Sequence, residues 1–236
     1  MEQAIQWVRA AERVAVLTGA GISAESGVPT FRGPGGYWRK QRVEQLATPE
    51  AFARDPKLVW EWYDSRRERL STLAPNAGHL ALVELERCKK SFTLITQNVD
   101  GLHERAGSRN VVKLHGDIWT VHCTRCGSER RDERPHIDPL PPHCRCGGME
   151  RPGVVWFGEA LPEREWALAV EAVHSAGVLL VVGTSAQVYP AAGLIPLACR
   201  AGAKVIEINT EKTPVSELVD ASLEGASAGI LSRLIL

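Results

Sequence analysis

The chain has 236 residues, enough for one sizeable core with a small satellite module and short for two ordinary domains. Charged residues make up 24% and hydrophobic residues 44% of it, a globular composition that argues against wholesale disorder. The 28 Lys and Arg residues balance the 28 Asp and Glu residues. This balance excludes a surface-wide basic field of the kind that binds nucleic acid or a membrane surface.

Strand and helix patterns alternate along the chain. An amphipathic helix is predicted over residues 1–12, with no secretory leader and no apolar stretch long enough to cross a bilayer. Nearly continuous apolar runs predict buried parallel strands over residues 13–17, 92–96, 111–114, 178–182 and 204–208. Helical patterns lie between them over residues 77–89, 162–176 and 191–201. The fold class predicted is α/β, a doubly wound parallel sheet with functional loops at the carboxyl ends of its strands.

Two segments interrupt this alternation. Residues 32–76 begin with a Gly/Pro loop and continue as helices, including one over residues 55–73, whereas residues 119–152 hold four cysteines and little apolar periodicity. We predict that the two insertions form one smaller module, with a helical part and a metal-binding part. The larger domain would then comprise residues 1–31, 77–118 and 153–236.

A glycine turn follows the first predicted strand. In the TGAGISA motif of residues 18–24, Gly19 and Gly21 allow a tight turn and a close approach to a pyrophosphate, and Ala24 takes the third small position. The motif alone is weak, because many such matches are plain strand-to-helix turns. The loop that follows, with Arg32, is typical of a flap over a bound dinucleotide or of an ordinary surface loop.

The cysteine cluster predicts a structural zinc site. Four thiols at this spacing suit tetrahedral coordination, and the ligands would be Cys123, Cys126, Cys144 and Cys146. His122 and His143 flank them and are alternative ligands, and unrelated thiols or a disulfide pair are the other interpretation. A metal site rather than a disulfide framework favours the cytoplasm. We interpret the two remaining cysteines, Cys88 and Cys199, as buried thiols.

Polar side chains follow two neighbouring predicted strands. Gln97, Asn98 and Asp100 come at the end of one strand, and His115 comes at the end of the next. A histidine at this edge of a sheet is a natural general base, because its unperturbed pKa lies near neutrality. A single such histidine is more often structural, but its convergence with Asn and Asp favours function.

Small polar groups follow two further strands, where a nucleotide ribose or adenine would lie in a doubly wound fold. One set is Gly183, Thr184 and Ser185, and the other is Asn209, Thr210 and Glu211. Either set alone reads equally well as a helix cap or a turn.

Taken together, these motifs resemble the sirtuins, the NAD-dependent protein lysine deacylases. The order GAGIS, G-x-P-x-FR, QN-x-D, HG, the cysteine pairs, VVWFGE and GTS is similar to theirs from Thr18 to about Glu211, and the length resembles that of bacterial and archaeal members. The resemblance implies a Rossmann-like NAD-binding domain, a helical-plus-zinc module and a cleft between them. It implies an acyl transfer from lysine to ADP-ribose that yields nicotinamide and O-acyl-ADP-ribose, with NAD as co-substrate and one zinc ion.

The resemblance also implies roles for individual residues. His115 would be the base that activates a ribose hydroxyl, and Asn98 would act with it beside the departing nicotinamide. The other NAD-binding positions would be Gly19, Ala20, Gly21, Glu25, Thr30, Phe31, Arg32, Gln97, Asp100, Gly183, Thr184, Ser185, Asn209, Thr210, Glu211 and Ser227. Val155, Trp156, Phe157 and Gly158 would pair with the substrate backbone as an added strand.

The acyl group is indicated by a pair on the helix predicted over residues 55–73. Tyr63 and Arg66 are three residues apart and therefore share a face. They resemble the pair that marks the sirtuin branch removing succinyl, malonyl and glutaryl groups, and an Arg with a phenol can bind a distal carboxylate. We expect a deacylase acting on succinyl-lysine and acetyl-lysine, whereas a solvated basic face is the interpretation without the resemblance.

Two alternatives come from other classes of function. One is a mono-ADP-ribosyltransferase with the same NAD site, against which the presence of His115 and of the Tyr63/Arg66 pair argues. The other is a non-enzymatic NAD sensor or zinc-dependent interaction module, for which replacing His115 would leave function intact.

Overall fold

A computed structural model describes residues 1–30, 37–38 and 41–235 of the chain. Its main sheet has six strands, whose bounds are β1 Arg13–Thr18, β4 Ser91–Thr96, β5 Val111–Lys113, β9 Val178–Val182, β10 Lys204–Asn209 and β11 Ala221–Glu224. All pair in parallel in the order β11-β10-β9-β1-β4-β5. The α/β fold class and the five predicted strands are confirmed, while the short strand β11 was not predicted.

Helices cover both faces of this sheet. On one face, α1 Glu2–Ala10, α6 Ala77–Cys88 and α10 Ser227–Ile235 pack Val8, Leu82 and Leu231 against the strands. On the other, α8 Glu163–Ser175 and α9 Leu194–Arg200 bury their apolar side chains. Strands covered on both sides have no solvent face, which explains their nearly continuous apolar sequences. The predicted helix over residues 191–201 divides into a 3-10 turn, Ala191–Gly193, and α9.

The two insertions contain strands and helices of their own. The first contains strands β2 Tyr37–Trp38 and β3 Gln41–Arg42, followed by helices α3 Val43–Leu46, α4 Pro49–Arg54 and α5 Pro56–Thr72. The second contains an antiparallel sheet of β6 Gly116–Cys123, β7 Glu129–Arg131 and β8 Glu150–Val154, in the order β7-β6-β8. Outside the insertions, two short helices, α2 Gly21–Ala24 and α7 Leu102–Ala106, come after β1 and β4.

A hydrophobic core separate from the clusters on the two faces of the main sheet joins these two insertions. Trp60 is fully buried in it with Phe52, Ile118 and Trp156, which come from α4, β6 and the segment after β8. The Trp60 indole N–H donates a 2.8 Å hydrogen bond to the backbone oxygen of Glu150, so the polar edge of the ring is satisfied inside the core. This packing agrees with one small module, although the domain boundaries themselves stay a prediction.

Two further expectations, on the burial of two cysteines and on membrane-spanning helices, can be compared with the structure. The interpretation of Cys88 and Cys199 as buried thiols was wrong, because Cys88 ends α6 at an exposed position and Cys199 is half-buried on α9. Within the described part of the chain, none of the helices combines the length and apolarity that crossing a bilayer requires.

Candidate functional site

The glycine turn lies at the centre of the sheet, where β1 pairs with β4 on one side and β9 on the other. Gly21 N–H donates a 2.8 Å hydrogen bond to the oxygen of Gly183, so the turns after β1 and β9 touch through their backbones. A Cβ at Gly21 would stand 2.6 Å from Gly183 Cα, and one at Gly19 would stand 2.8 Å from Thr184 Cα. Gly183 itself has a φ of +60°. The close approach therefore requires glycine here, in the crevice where doubly wound folds bind nucleotides.

The turn after β4 brings Gln97, Asn98 and Asp100 to the same edge. Asn98 Nδ2 donates to the oxygen of Gly19 at 3.1 Å and to Ser23 Oγ at 3.3 Å. Asp100 is buried and its carboxylate accepts from Ser23 Oγ at 2.8 Å and from the Leu102 N–H at 2.9 Å. Burial raises the pKa of Asp100 against these hydrogen bonds. The Asn98 and Asp100 side chains are thus fixed against the glycine turn.

His115 follows β5 and faces the segment that carries these residues. Its Nδ1 lies 3.0 Å from the oxygen of Gln97. A carbonyl oxygen only accepts, so Nδ1 carries the hydrogen and Nε2 carries the lone pair. Burial lowers the pKa of His115, partly opposed by this hydrogen bond, which leaves the ring neutral at pH 7. The geometry provides an imidazole with an available basic nitrogen, as a general base requires.

Ser23, His79 and His103 complete this buried network, and the sequence analysis did not identify them as site residues. Ser23 contacts both Asn98 and Asp100, and the His79 Nε2 lies 3.4 Å from Ser23 Oγ. The rings of His79 and His103 pack with centroids 4.9 Å apart. A signal existed, because His79 falls on the buried face of α6 with Leu82 and Val83, three and four residues further on.

The predicted adenosine end lies around β9 and β10. Gln97 Nε2 donates to Thr184 Oγ1 at 3.0 Å, and Asn209 Nδ2 donates to the Thr184 backbone oxygen at 2.9 Å. Ser185 lies half-buried beside them. These contacts bring Gln97, Thr184 and Asn209 together from the ends of β4, β9 and β10, across the end of β1.

The other predicted NAD positions are more dispersed. Thr210 and Glu211 are exposed, whereas Ser227 is buried at the start of α10. The Glu25 carboxylate accepts the Ala228 N–H at 2.9 Å, which fixes the glycine turn to that helix. Thr30 is half-buried, and Phe31 and Arg32 lie outside the described residues. The roles assigned to all these positions stay predictions.

Tyr63 and Arg66 share one face of α5, as their spacing predicts. The Tyr63 hydroxyl accepts a 2.9 Å hydrogen bond from Trp156 Nε1, and burial raises its pKa to about 12. Burial lowers the pKa of Arg66, against the attraction of Tyr63 and Asp100, and its guanidinium lies 5.3 Å from the Trp62 ring centroid. A desolvated cation next to a protonated phenol is a site suited to a carboxylate.

The segment after β8 is not a strand. Val155 N–H donates to the His115 oxygen at 2.9 Å, and Phe157 N–H donates to the Ala47 oxygen at 2.9 Å. Trp156 is buried, whereas Phe157 is 49% exposed, and Gly158 follows with a φ of +89°. The segment therefore connects the His115 turn to the small module, and its predicted pairing with substrate stays a prediction.

The four cysteines converge on one point. Their Sγ atoms all lie within 4.8 Å of one another, with Cys123 and Cys146 3.5 Å apart and Cys126 and Cys144 3.8 Å apart. Tetrahedral coordination with Zn–S bonds of about 2.3 Å requires sulfur atoms roughly 3.8 Å apart. The cluster therefore fits zinc. His122 instead contacts Glu129 at 3.1 Å.

The comparisons with known proteins define the class. The model of the Sir2 family matches residues 19–190, from the glycine turn through the cysteine cluster and beyond β9. The chain therefore belongs to the Sir2 family, and the resemblance to sirtuins is confirmed.

Individual relatives cover nearly the whole chain. An NAD-dependent protein deacylase 2 of Pyrobaculum aerophilum is 55% identical over 93% of this chain and 88% of its own length. An NAD-dependent protein deacylase of Aquifex aeolicus is 54% identical over 92% of each chain. A solved Sir2 homolog–NAD complex is 46% identical with a TM-score of 0.95, covering 100% of this chain and 92% of that one. The class of NAD-dependent protein deacylase is thus confirmed, the ADP-ribosyltransferase alternative is not favoured, and the names of these two deacylases specify no acyl group.

Proposed function

We propose that this chain uses NAD to remove acyl groups from lysine side chains of proteins, and that it accepts succinyl- and malonyl-type groups as well as acetyl. One observation carries the proposal. His115 is hydrogen-bonded to the backbone of the segment that holds Asn98 and Asp100, beside a glycine turn, in a chain whose relatives are named deacylases.

NAD supplies the acceptor of the acyl group, because its ADP-ribose becomes available when nicotinamide departs. Gly19, Gly21 and Gly183 carry no side chain where the two turns touch, so a pyrophosphate could approach the backbone there. Asn209 and Ser185 would hold the adenosine end, and Glu25 and Thr30 would lie near the other ribose. The zinc ion would be structural, since its four ligands are thiols and none is an acid or base for the reaction.

His115 would act as the general base. Its Nδ1–H is held by the Gln97 oxygen, so the ring cannot rotate freely and the Nε2 lone pair has a fixed direction. The lowered pKa keeps that nitrogen unprotonated at neutral pH, ready to accept a proton from a ribose hydroxyl.

Asn98 and Asp100 would orient the cofactor next to this base. Asn98 donates both to Gly19 and to Ser23, which sets the plane of its amide. Asp100 presents its carboxylate on the same side, held by Ser23 and Leu102. Positions fixed before ligand arrives reduce the entropy that binding must overcome.

Tyr63 and Arg66 support the acyl preference. Because Trp156 already donates to the Tyr63 oxygen, the phenol's own hydrogen is the group that can be given to a ligand. Trp156 is itself fixed by the guanidinium of Arg151, 3.4 Å from its ring centroid, and Arg151 is paired with Glu159 at 2.5 Å. A succinyl carboxylate would meet a protonated phenol and the Arg66 cation together.

The test compares acetyl-, propionyl- and succinyl-lysine peptides under one set of conditions. A charge-assisted hydrogen bond contributes about 1.5–3 kcal/mol, so Arg66→Met should lower kcat/KM for succinyl peptide roughly 10- to 100-fold. Deacetylation should change much less. Arg69→Met, at an exposed position on the same helix, is the matched control.

Two outcomes would contradict the proposal at different levels. Equal losses on acetyl and succinyl peptides in Arg66→Met would refute the carboxylate pair. No nicotinamide release coupled to deacylation by the unmodified chain would refute the deacylase itself, and transfer of ADP-ribose to the peptide, seen by mass, would favour the ADP-ribosyltransferase.

A further inference from the structure

A buried histidine below the site has no role in the reaction described so far. His103 lies on α7 with a relative exposure of 1%, and its Nε2 is 3.0 Å from Thr18 Oγ1 at the end of β1. Its Nδ1 is buried and has no hydrogen-bond partner among the described residues. Burial holds its pKa well below the usual value, so the ring is neutral.

The tautomer follows from the neighbours. If Nδ1 carried the hydrogen, a buried N–H would be left without an acceptor, which is more costly than an unused lone pair. The hydrogen is therefore on Nε2, and His103 donates to Thr18 Oγ1. The Thr18 hydroxyl then donates to Thr96 Oγ1 at 2.8 Å.

This chain of hydrogen bonds ends at the predicted catalytic turn. Thr96 Oγ1 also accepts the backbone N–H of Asn98 at 3.0 Å. His103 is thus connected through two hydroxyl groups to Asn98, in the turn that also carries Asp100. The two links from His103 to Thr96 are buried, which shields them from competing water, and the link from Thr96 to Asn98 is partly buried.

A second branch leads from the same ring to the same residues. His103 packs on His79, whose Nε2 contacts Ser23 Oγ. Ser23 in turn contacts both Asn98 Nδ2 and Asp100 Oδ2. His103 is therefore connected to the backbone of the turn through Thr18 and to its side chains through His79.

We propose that His103 is a positioning residue that holds the Asn98–Asp100 turn in its reactive geometry through the Thr18–Thr96 hydroxyl pair. The inference rests on the proposed NAD-dependent deacylation and not on the acyl preference. A small misplacement of catalytic groups can lower a rate about 100-fold, so losing the donor should affect turnover more than substrate binding.

The experiment measures kcat and the KM values for NAD and acetyl peptide in two variant pairs. His103→Phe keeps a ring but removes the donor, whereas His103→Gln can place an amide N–H near the position of Nε2. Thr18→Val removes the hydroxyl, whereas Thr18→Ser keeps it. We expect kcat to fall at least about tenfold in the Phe and Val variants, with peptide KM within about twofold, and to recover largely in the Gln and Ser variants.

The combined His103→Phe/Thr18→Val variant should lose about as much as either single variant, because both substitutions break the Thr18–Thr96 hydroxyl pathway and the phenylalanine ring can still pack on His79. Equal impairment of the Phe and Gln variants, or of the Val and Ser variants, would overturn the inference, as would unchanged turnover. Inactivity of the unmodified chain would instead refute the proposed function. If His103→Phe fails to fold, the Thr18 pair decides the question.

Discussion

His79 makes the stability of this protein depend on pH in a way that can be calculated. The ring is fully buried, its Nδ1 accepts the Asn76 N–H at 3.2 Å, and burial lowers its pKa from 6.5 to about 4. The perturbation is His79→Gln. Glutamine is a usual residue at this third position of a helix, where its side-chain oxygen can accept the same N–H, and it does not titrate.

The sign and size follow from proton linkage. Below pH 6.5 the unfolded chain binds a proton on His79 that the native protein takes up only near pH 4, so the free energy of unfolding falls as pH falls through this window. The full difference corresponds to roughly 3 kcal/mol, of which about 2 kcal/mol is lost by pH 5, and none of it is lost above pH 7.

Urea unfolding of both proteins between pH 5 and 8 measures this difference. Other groups titrate in both proteins and cancel when the free energy of His79→Gln is subtracted from that of the unmodified chain. We expect the unmodified chain to lose about 2 kcal/mol relative to the variant between pH 7.5 and pH 5. His174→Gln, at an exposed site, is the control and should keep the original slope. Equal slopes for His79→Gln and the unmodified chain would refute the calculation.

Two further predictions concern the small module. Cys144→Ser, or a chelator at neutral pH, should remove one zinc ion per chain and make residues 119–152 sensitive to protease, and unchanged resistance after metal loss would contradict a structural zinc. Arg67→Met should lower the free energy of unfolding by about 1.5–3 kcal/mol, because the fully buried Arg67 bonds the backbone and carboxylate of Asp132. Hydrogen bonds from Arg134 and Arg130 hold the pKa of Asp132 down against burial, and both would remain in the variant. A loss below about 1 kcal/mol in urea unfolding would show that the pair contributes little.

Most strands of the main sheet could be predicted because the apolar pattern that marks them lies within a few consecutive residues. β9 is entirely apolar and β1 is apolar from Val14 to Leu17, and such runs between glycine turns and helical patterns admit few other structures. β11 has the sequence ASLE and alternates between half-buried and exposed positions at the sheet edge. Four residues with that pattern do not differ from a loop, so the sequence carries no signal for it.

The residues of the candidate site also divide into those that could be predicted from the sequence and those that could not. Asn98, Asp100 and His115 were predicted because parallel strands bring their carboxyl ends to one edge, which requires no knowledge of packing. His79 and His103 were not predicted, because the helix pattern places His79 on a buried face but does not show which rings and hydroxyls meet in the core. The contact of His103 with Thr18 joins residues 85 positions apart, and no local pattern encodes it.

The buried groups around the Asn98–Asp100 turn all shift towards their uncharged forms. Burial lowers the pKa of His79 and His103 and raises that of Asp100, so it opposes a charge on all three side chains. Arg66 already opposes this for Asp100 by favouring its ionised form. A positively charged ligand group arriving there would act in the same direction and bind most tightly to the carboxylate. We expect recognition of charge to be local in this chain with no net charge, with a cationic ligand group meeting Asp100 and a ligand carboxylate meeting Arg66.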